Sequence, residues 1–140
     1  MEPRYTTEAR SIGDARNGRA YLTDGSLEIH MGIAQELGGQ GRGANPEQLF
    51  AMGFATCFHQ SVKIVAQEAR ADSTASSVQA RVDFGIDDED FYALSVSLDV
   101  SLPYVEMDIA REIAQRANEL CPYSRATRGN IAVVVSVVEE

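Results

Sequence analysis

The sequence predicts an α+β protein in which strands and one long buried helix share a single chain. Three observations support this fold class. Residues 78–86 and 92–102 alternate apolar and polar side chains with the period of two that is typical of strands. Residues 46–70 form a helical segment that starts with a cap, Asn45, and a first-turn proline, Pro46. Residues 131–138 are rich in β-branched side chains, which favour a closing strand.

The remaining elements follow from turn signals and periodicity. Residues 5–12, 19–23 and 27–31 are predicted strands, and Asp24-Gly25 is typical of the hairpin between the last two. Residues 106–120 are predicted to form a second helix, which ends at Cys121-Pro122 because proline cannot continue a helix. No repeat or linker divides the chain, so we expect one domain over residues 1–140.

The first helix is apolar on nearly every side, which indicates a buried central helix. One sheet covers only one side of such a helix in a chain of 140 residues. The other side is therefore predicted to pack against a second chain, as in a homodimer. The apolar residues in question are Leu49, Phe50, Met52, Phe54, Ala55, Phe58, Val62, Ile64 and Val65.

The charge balance excludes some classes of partner. The chain carries 21 acidic and 12 basic residues, a net charge of −9, which disfavours binding to nucleic acid and to anionic membranes. Residues 1–13 contain no signal-peptide core, and no window approaches the roughly 18 apolar residues of a membrane span. We therefore expect a cytoplasmic protein with neither a nucleic-acid nor a membrane partner.

The chain has two cysteines, Cys57 and Cys121, and a reducing compartment disfavours a structural disulfide between them. They are either a catalytic pair or two inert core thiols. Cys57 lies about 18 Å from the start of its helix, so the helix dipole contributes little, and burial would raise its pKa. An arginine would have to activate it. Cys121 lies at a helix C-terminus, which disfavours a thiolate, so Cys57 is the better candidate for the attacking thiol.

The histidines and the polar residues after Cys121 give weaker predictions than the two cysteines do. His59 follows Cys57 by two residues and points to another side of the helix, so it is a poor base for that thiol. The two histidines and two cysteines lack the spacing of zinc ligands, and we expect no metal. Four residues of the segment after Cys121 could either position that thiol or cap the second helix; they are Tyr123, Ser124, Thr127 and Arg128.

Two motifs carry a resemblance to a known family. They are NPEQLFAMGFATCF at residues 45–58 and CPYSRATRGNI at residues 121–131. Together they resemble the OsmC/Ohr family, and more closely its organic hydroperoxide resistance (Ohr) branch, over essentially the whole chain. The chain departs from the expected pattern at Arg125, where an asparagine is expected. The resemblance implies an OsmC-like fold with antiparallel sheets around a buried central helix, in an intertwined homodimer.

The resemblance also implies an activity, that of a thiol peroxidase that reduces organic hydroperoxides to alcohols. Cys57 matches the peroxidatic cysteine and Cys121 the resolving cysteine, while Arg16 and Glu47 match the family's arginine and glutamate. The implied Cys57–Cys121 disulfide would be reduced by an external dithiol, such as the lipoyl group of a lipoylated protein, with no bound cofactor. The alternatives are a broader OsmC-type peroxidase and a non-catalytic redox-sensing or lipid-binding dimer.

Two points about the site stay open in the sequence. Phe50, Met52 and Phe54 suit an apolar substrate pocket, but each could equally be a core residue. Glu47 and Cys57 are about 15 Å apart along a continuous helix. Either Arg16 bridges this gap, or the helix breaks near Gly53, or the partner chain supplies Glu47 and Arg16; the last arrangement is the one we favour.

Overall fold

A computed structural model describes residues 1–139. The chain forms two compact units, Met1–Leu49 and Phe50–Glu140, each of which is described by itself. The strands are β1 (Ala9–Ile12), β2 (Arg19–Leu22), β3 (Glu28–His30), β4 (Ser77–Ile86), β5 (Tyr92–Ser101) and β6 (Val133–Val138). The α-helices are α1 (Pro46–Glu68), α2 (Met107–Leu120) and α3 (Pro122–Thr127), and short 3-10 helices span Ala15–Asn17 and Gln35–Leu37.

The first unit holds an antiparallel sheet in the order β1-β2-β3. The hairpin between β2 and β3 lies where Asp24-Gly25 predicted it. The carboxylate of Asp24 accepts a hydrogen bond of 2.8 Å from the backbone N–H of Ser26, and Gly25 has a φ of +81°. β1 is shorter than predicted, since it begins at Ala9 rather than at residue 5.

Helix α1 begins at Pro46 because Asn45 and Gln48 cap it reciprocally. The backbone N–H of Gln48 donates to the Asn45 side chain at 2.8 Å, and the backbone N–H of Asn45 donates to the Gln48 side chain at 2.9 Å. The helix then runs unbroken through Gly53 to Glu68. The suggested break near Gly53 is therefore wrong, and the rise of about 15 Å between residues 47 and 57 stands.

The second unit contains a sheet in the order β4-β5-β6. β4 pairs with β5 in antiparallel register, with Val82 opposite Val96, as the alternating pattern predicted. β6 pairs with β5 in parallel, which corrects the expectation of purely antiparallel sheets. The reason is the connection: α2 and α3 form the crossover that a pair of parallel strands requires.

The core of the second unit lies between this sheet and the helices. One face of α1 supplies Phe54, Phe58 and Val62, all fully buried. Strand β5 and helix α2 supply most of the rest, namely Val96, Leu98, Val100, Ala110, Ile113, Ala114 and Ala117. Within this chain α1 is buried on one face and not all round, since Met52 is 59% and Ile64 is 38% exposed. The second chain that was predicted to cover the other face stays a prediction.

Helix α1 also corrects an expectation about membranes. By length and composition alone its 23 residues would suffice to cross one, although no such segment was expected from the sequence. The core helix of a soluble protein meets the same criterion. The burial of Phe54, Phe58 and Val62 against protein favours a core helix here.

Candidate active site

The two cysteines lie in contact within the second unit. Cys57 projects from the middle of α1, and Cys121 lies between α2 and α3. Both are free thiols, and the Cys121 Sγ–H points at Cys57 Sγ across 3.7 Å. A disulfide bond is about 2.05 Å long, so a relative movement of less than about 2 Å would join the two sulfur atoms. Two residues that are 64 positions apart thus form one thiol pair.

Exposure distinguishes the two thiols. Cys121 is fully buried, with an exposed fraction of 0%, whereas Cys57 is half-buried. Within the chain, solvent therefore reaches part of Cys57 and no part of Cys121. This difference agrees with Cys57 as the attacking thiol and Cys121 as its partner.

The environment of Cys57 opposes ionisation. Burial raises the pKa of the Cys57 thiol above its ordinary 9.0, and the adjacent Cys121 thiol raises it further. The backbone N–H of Tyr123 acts in the other direction, because it donates to the sulfur atom and favours the thiolate. The upward shift expected from burial is therefore present, and a reactive Cys57 needs a cation to lower its pKa.

Cys121 occupies a tighter junction than the sequence indicated. Its backbone N–H donates to the carbonyl of Ala117 at 2.8 Å and closes α2, while the same residue caps the start of α3. The segment after Cys121 was predicted to be a loop, but it contains a six-residue helix. Pro122 explains both the end of α2 and the start of α3, because proline terminates a helix and is favoured at the first position of the next.

Of the two roles left open for the polar residues after Cys121, their hydrogen bonds show one, the capping of the second helix. Arg128 caps the second helix, as its guanidinium donates to the carbonyl of Asn118 at 2.8 Å. Thr127 bonds within α3, to the carbonyl of Tyr123 at 2.8 Å. Ser124 is buried, and its hydroxyl has no hydrogen-bond partner among residues 1–139. Tyr123 lies against α1.

An aromatic cluster adjoins the thiol pair. The Tyr123 ring stacks on Phe50 with centroids 6.3 Å apart and meets the edge of Phe54 at 5.6 Å. Of the three predicted substrate-binding residues, Phe54 is fully buried, Phe50 packs against the core and Met52 is 59% exposed. The predicted pocket for these three residues stays a prediction. Tyr123 was missed as an apolar neighbour, because its sequence context is polar.

The other predicted site residues form an ion pair within the first unit. The 3-10 helix Ala15–Asn17 presents Arg16, whose guanidinium donates to both carboxylate oxygens of Glu47 at 3.1 and 2.9 Å. This hydrogen bonding lowers the pKa of Glu47 and raises that of Arg16. Arg19 pairs instead with Glu28 on the surface of the sheet, at 3.0 Å. The two residues matched by the resemblance therefore form a bidentate ion pair, and their catalytic role stays a prediction.

Two further predictions concern His59 and metal ligands. The imidazole of His59 lies 2.9 Å from the hydroxyl of Ser76, and burial lowers its pKa, with a smaller contribution from Lys63. Within residues 1–139, no three side chains of histidine, cysteine, aspartate or glutamate lie close enough together to hold a metal ion.

Comparison with known proteins assigns the family. The family model described as OsmC-like protein matches residues 39–136, more than half of the chain. The chain belongs to the OsmC-like family. An organic hydroperoxide resistance protein from Xanthomonas axonopodis pv. citri is 37% identical over 142 residues, covering 95% of this chain and 94% of the relative. The resemblance carried by the two motifs is confirmed.

Solved structures of OsmC-family proteins support the fold. An organic hydroperoxide resistance protein from Elizabethkingia anophelis, with thiocyanate bound, is 35% identical and has a TM-score of 0.93 over 100% of both chains. The organic hydroperoxide resistance protein OhrB of Bacillus subtilis is 31% identical, with a TM-score of 0.85 over 96% of this chain and 98% of that one. The α+β OsmC-like fold is therefore confirmed.

The Arg16–Glu47 pair predicts a specific dependence of stability on pH. Arg16 lowers the pKa of folded Glu47 below its ordinary 4.5, so the pair stabilises the protein above that pH. The stabilisation is lost as the pH falls through the lowered pKa. We expect Glu47→Gln to unfold at lower urea concentration than the wild type at about pH 7, and the difference to shrink towards about pH 3.

The control for this titration is Glu28→Gln, which removes the partner of Arg19. That pair is about half exposed on both sides, whereas the Glu47 side chain is only 17% exposed. The control should therefore change the urea midpoint less than Glu47→Gln does. A Glu47→Gln difference that is undiminished at about pH 3 would contradict the assignment of the stabilisation to the ionised carboxylate.

Proposed function

We propose that this protein is a thiol-dependent peroxidase that reduces organic hydroperoxides to alcohols. The observation that carries the proposal is the contact of 3.7 Å between a half-buried and a fully buried thiol in an OsmC-family chain. Relatives in this family are named for organic hydroperoxide resistance, and their names support the same activity.

The proposed reaction has three steps: oxidation of Cys57, formation of the disulfide, and its reduction. The Cys57 thiolate attacks the terminal oxygen of the hydroperoxide, the O–O bond breaks, and the leaving alkoxide takes a proton to become the alcohol. Cys57 is left as a sulfenic acid. The Cys121 thiol then attacks the Cys57 sulfur atom, water leaves, and a disulfide forms. An external dithiol reduces this disulfide by two exchange reactions and is itself oxidised to a disulfide. We propose the lipoyl group of a lipoylated protein for this role.

The first step needs a Cys57 thiolate, which burial disfavours. We propose that Arg16 supplies the compensating positive charge, oriented by its two hydrogen bonds to Glu47. We further propose that two chains form a homodimer, in which Arg16 from one chain serves Cys57 of the other. The partly exposed apolar residues Met52 and Ile64 of α1 support burial of this helix between two chains.

The substrate class follows from the side chains near the thiols. Phe50, Phe54 and Tyr123 form an aromatic cluster on the α1 face next to Cys57, and Met52 is exposed on the same helix. Apolar surfaces bind alkyl chains better than they bind hydrogen peroxide. We therefore propose alkyl and fatty-acid hydroperoxides as substrates. A cytoplasmic location fits two cysteines that stay free until they react.

Substitution of each cysteine tests the proposed roles. We expect Cys57→Ser to abolish consumption of cumene hydroperoxide in the presence of dihydrolipoamide, because no sulfur atom remains for attack. Without dihydrolipoamide, Cys121→Ser should consume about one equivalent per chain and then overoxidise at Cys57, because the sulfenic acid has no resolving thiol and needs an external one. Peroxide assays and mass spectrometry of Cys57 measure both outcomes.

The wild-type protein is the control for turnover. Many equivalents of peroxide consumed with dihydrolipoamide support an enzyme. If the wild type also stops after one equivalent, the protein acts as a redox sensor and the proposed peroxidase is excluded. Turnover retained in Cys57→Ser would overturn the assignment of the attacking thiol.

Substitution of Arg16 tests the activation of Cys57. Arg16→Ala should slow oxidation of Cys57 at neutral pH and shift the rate-versus-pH curve to higher pH, because the thiol pKa rises when the cation is removed. Arg19→Ala is the matched control: it removes an arginine that pairs with Glu28 and should leave the curve in place. An unchanged curve in Arg16→Ala would remove Arg16 from the mechanism.

Mixed dimers extend this test to the origin of Arg16. Cys57→Ser and Arg16→Ala chains are each impaired alone. If Arg16 serves the partner's thiol, a mixed dimer holds one site with both Cys57 and Arg16, and activity returns on mixing. If each site uses one chain only, no site has both residues, and mixing restores nothing.

A further inference from the structure

Gly53 lies in the interior of α1, where glycine is unfavourable compared with alanine because of its backbone freedom. The packing around Gly53 explains why this position is a glycine. A Cβ atom built at Gly53 would lie 3.1 Å from the Tyr123 hydroxyl oxygen and 3.3 Å from Cε2 of the same ring. These contacts are tighter than ordinary carbon contacts. The absent side chain therefore leaves room for the Tyr123 ring.

Two aromatic side chains of α1 also contact the Tyr123 ring. Phe50 stacks on it at an interplanar angle of 22°, and Phe54 meets it edge-on at 64°. Phe50, Gly53 and Phe54 are spaced by three and four residues, so they share one face of α1. Together they form a seat for the ring on that face.

The same helix face leads to the reactive thiol. Cys57 follows Gly53 by four residues and Phe54 by three, the spacings of neighbours on a helix surface. Tyr123 follows Cys121 by two residues and belongs to the first turn of α3. The seat therefore attaches α3 to α1 next to both cysteines, where Cys121 Sγ lies 3.7 Å from Cys57 Sγ.

We propose that Gly53 and Tyr123 are positioning residues for the resolving step, in which the seated Tyr123 ring holds the Cys121 thiol within reach of Cys57. This inference rests on the proposed function. Neither residue supplies or removes a proton in the step. Their contribution is the distance between the two sulfur atoms.

Gly53→Ala is the first variant of the test. The added methyl group pushes against the ring, and we expect the disulfide to form at least roughly tenfold more slowly, given that a misplacement of about 1 Å can cost about a hundredfold. The rate of the first step, measured by trapping the sulfenic acid of Cys57 with dimedone, should change much less. Gln115→Ala is the control, because it places an alanine at an exposed interior position of α2, outside the face of α1 that the proposed dimer would cover.

A double-mutant cycle separates the proposed contact from a general effect on the helix. In a Tyr123→Ala background the disulfide should already form slowly, and Gly53→Ala should slow it no further, since the ring is gone. Tyr123→Phe removes the atom nearest to Gly53, so Gly53→Ala with Tyr123→Phe should be faster than Gly53→Ala alone. Thermal unfolding of each variant shows whether the fold is retained.

Two results would overturn the inference. One is a Gly53→Ala protein that forms the disulfide at the wild-type rate. The other is an equal slowing by Gly53→Ala in the Tyr123 and Tyr123→Ala backgrounds, which would show that the ring is not involved.

Diamide distinguishes failure of this inference from failure of the proposed function. This diazene takes up two electrons and two protons from the two thiols as the disulfide forms, with no peroxide present. If the wild-type thiols resist cumene hydroperoxide, the proposed function fails, and the same variants are compared with diamide. A Tyr123-dependent slowing by Gly53→Ala with diamide supports the positioning role independently, and its absence excludes that role.

Discussion

The contact between Cys57 and Cys121 is the interaction on which the account of this protein depends. An oxidised cysteine can form a disulfide within its own chain only if a second thiol lies beside it. Here the two sulfur atoms are 3.7 Å apart. The contact needs a long helix that carries Cys57 and a crossover that returns past it. The parallel pairing of β5 and β6 makes that crossover necessary, and α2 and α3 supply it. The topology of the second unit is thus the scaffold of the thiol pair.

Burial protects one thiol of the pair and hinders the other. It shields Cys121 from solvent, and it raises the pKa of Cys57 and so reduces the fraction of thiolate. A buried peroxidatic thiol is useful only with a cation close by. We propose Arg16 as that cation, since its two hydrogen bonds to Glu47 hold the guanidinium in a fixed plane. The proposed sharing of Arg16 between two chains connects catalysis to dimer formation.

Much of this fold could be predicted because local signals decide it. β4 and β5 agree with the alternating pattern to within one residue, and Asn45-Pro46 fixes the start of α1. The parallel pairing of β6 could not be predicted, because strand direction depends on how the crossover packs and not on the strand's own residues. Pro122 was interpreted only as a helix end, although proline also begins helices, and α3 was missed for that reason.

For the candidate site, the two motifs contain Cys57, Cys121 and Glu47, the family resemblance added Arg16, and packing decided the rest. Met52 is exposed and Phe54 is fully buried within one apolar run, a difference that depends on which helix face meets the sheet. The contact of Tyr123 with Gly53 joins residues 70 positions apart and leaves no local signal.

A count of free thiols after a single addition of peroxide tests the central claim most directly. Reduced wild-type protein receives one equivalent of cumene hydroperoxide per chain, with hydrogen peroxide in a parallel sample, and free thiols are titrated over time. The account predicts rapid loss of both thiols with the organic hydroperoxide and slower loss with hydrogen peroxide. Retention of both thiols with cumene hydroperoxide would contradict it and leave only the OsmC-like fold.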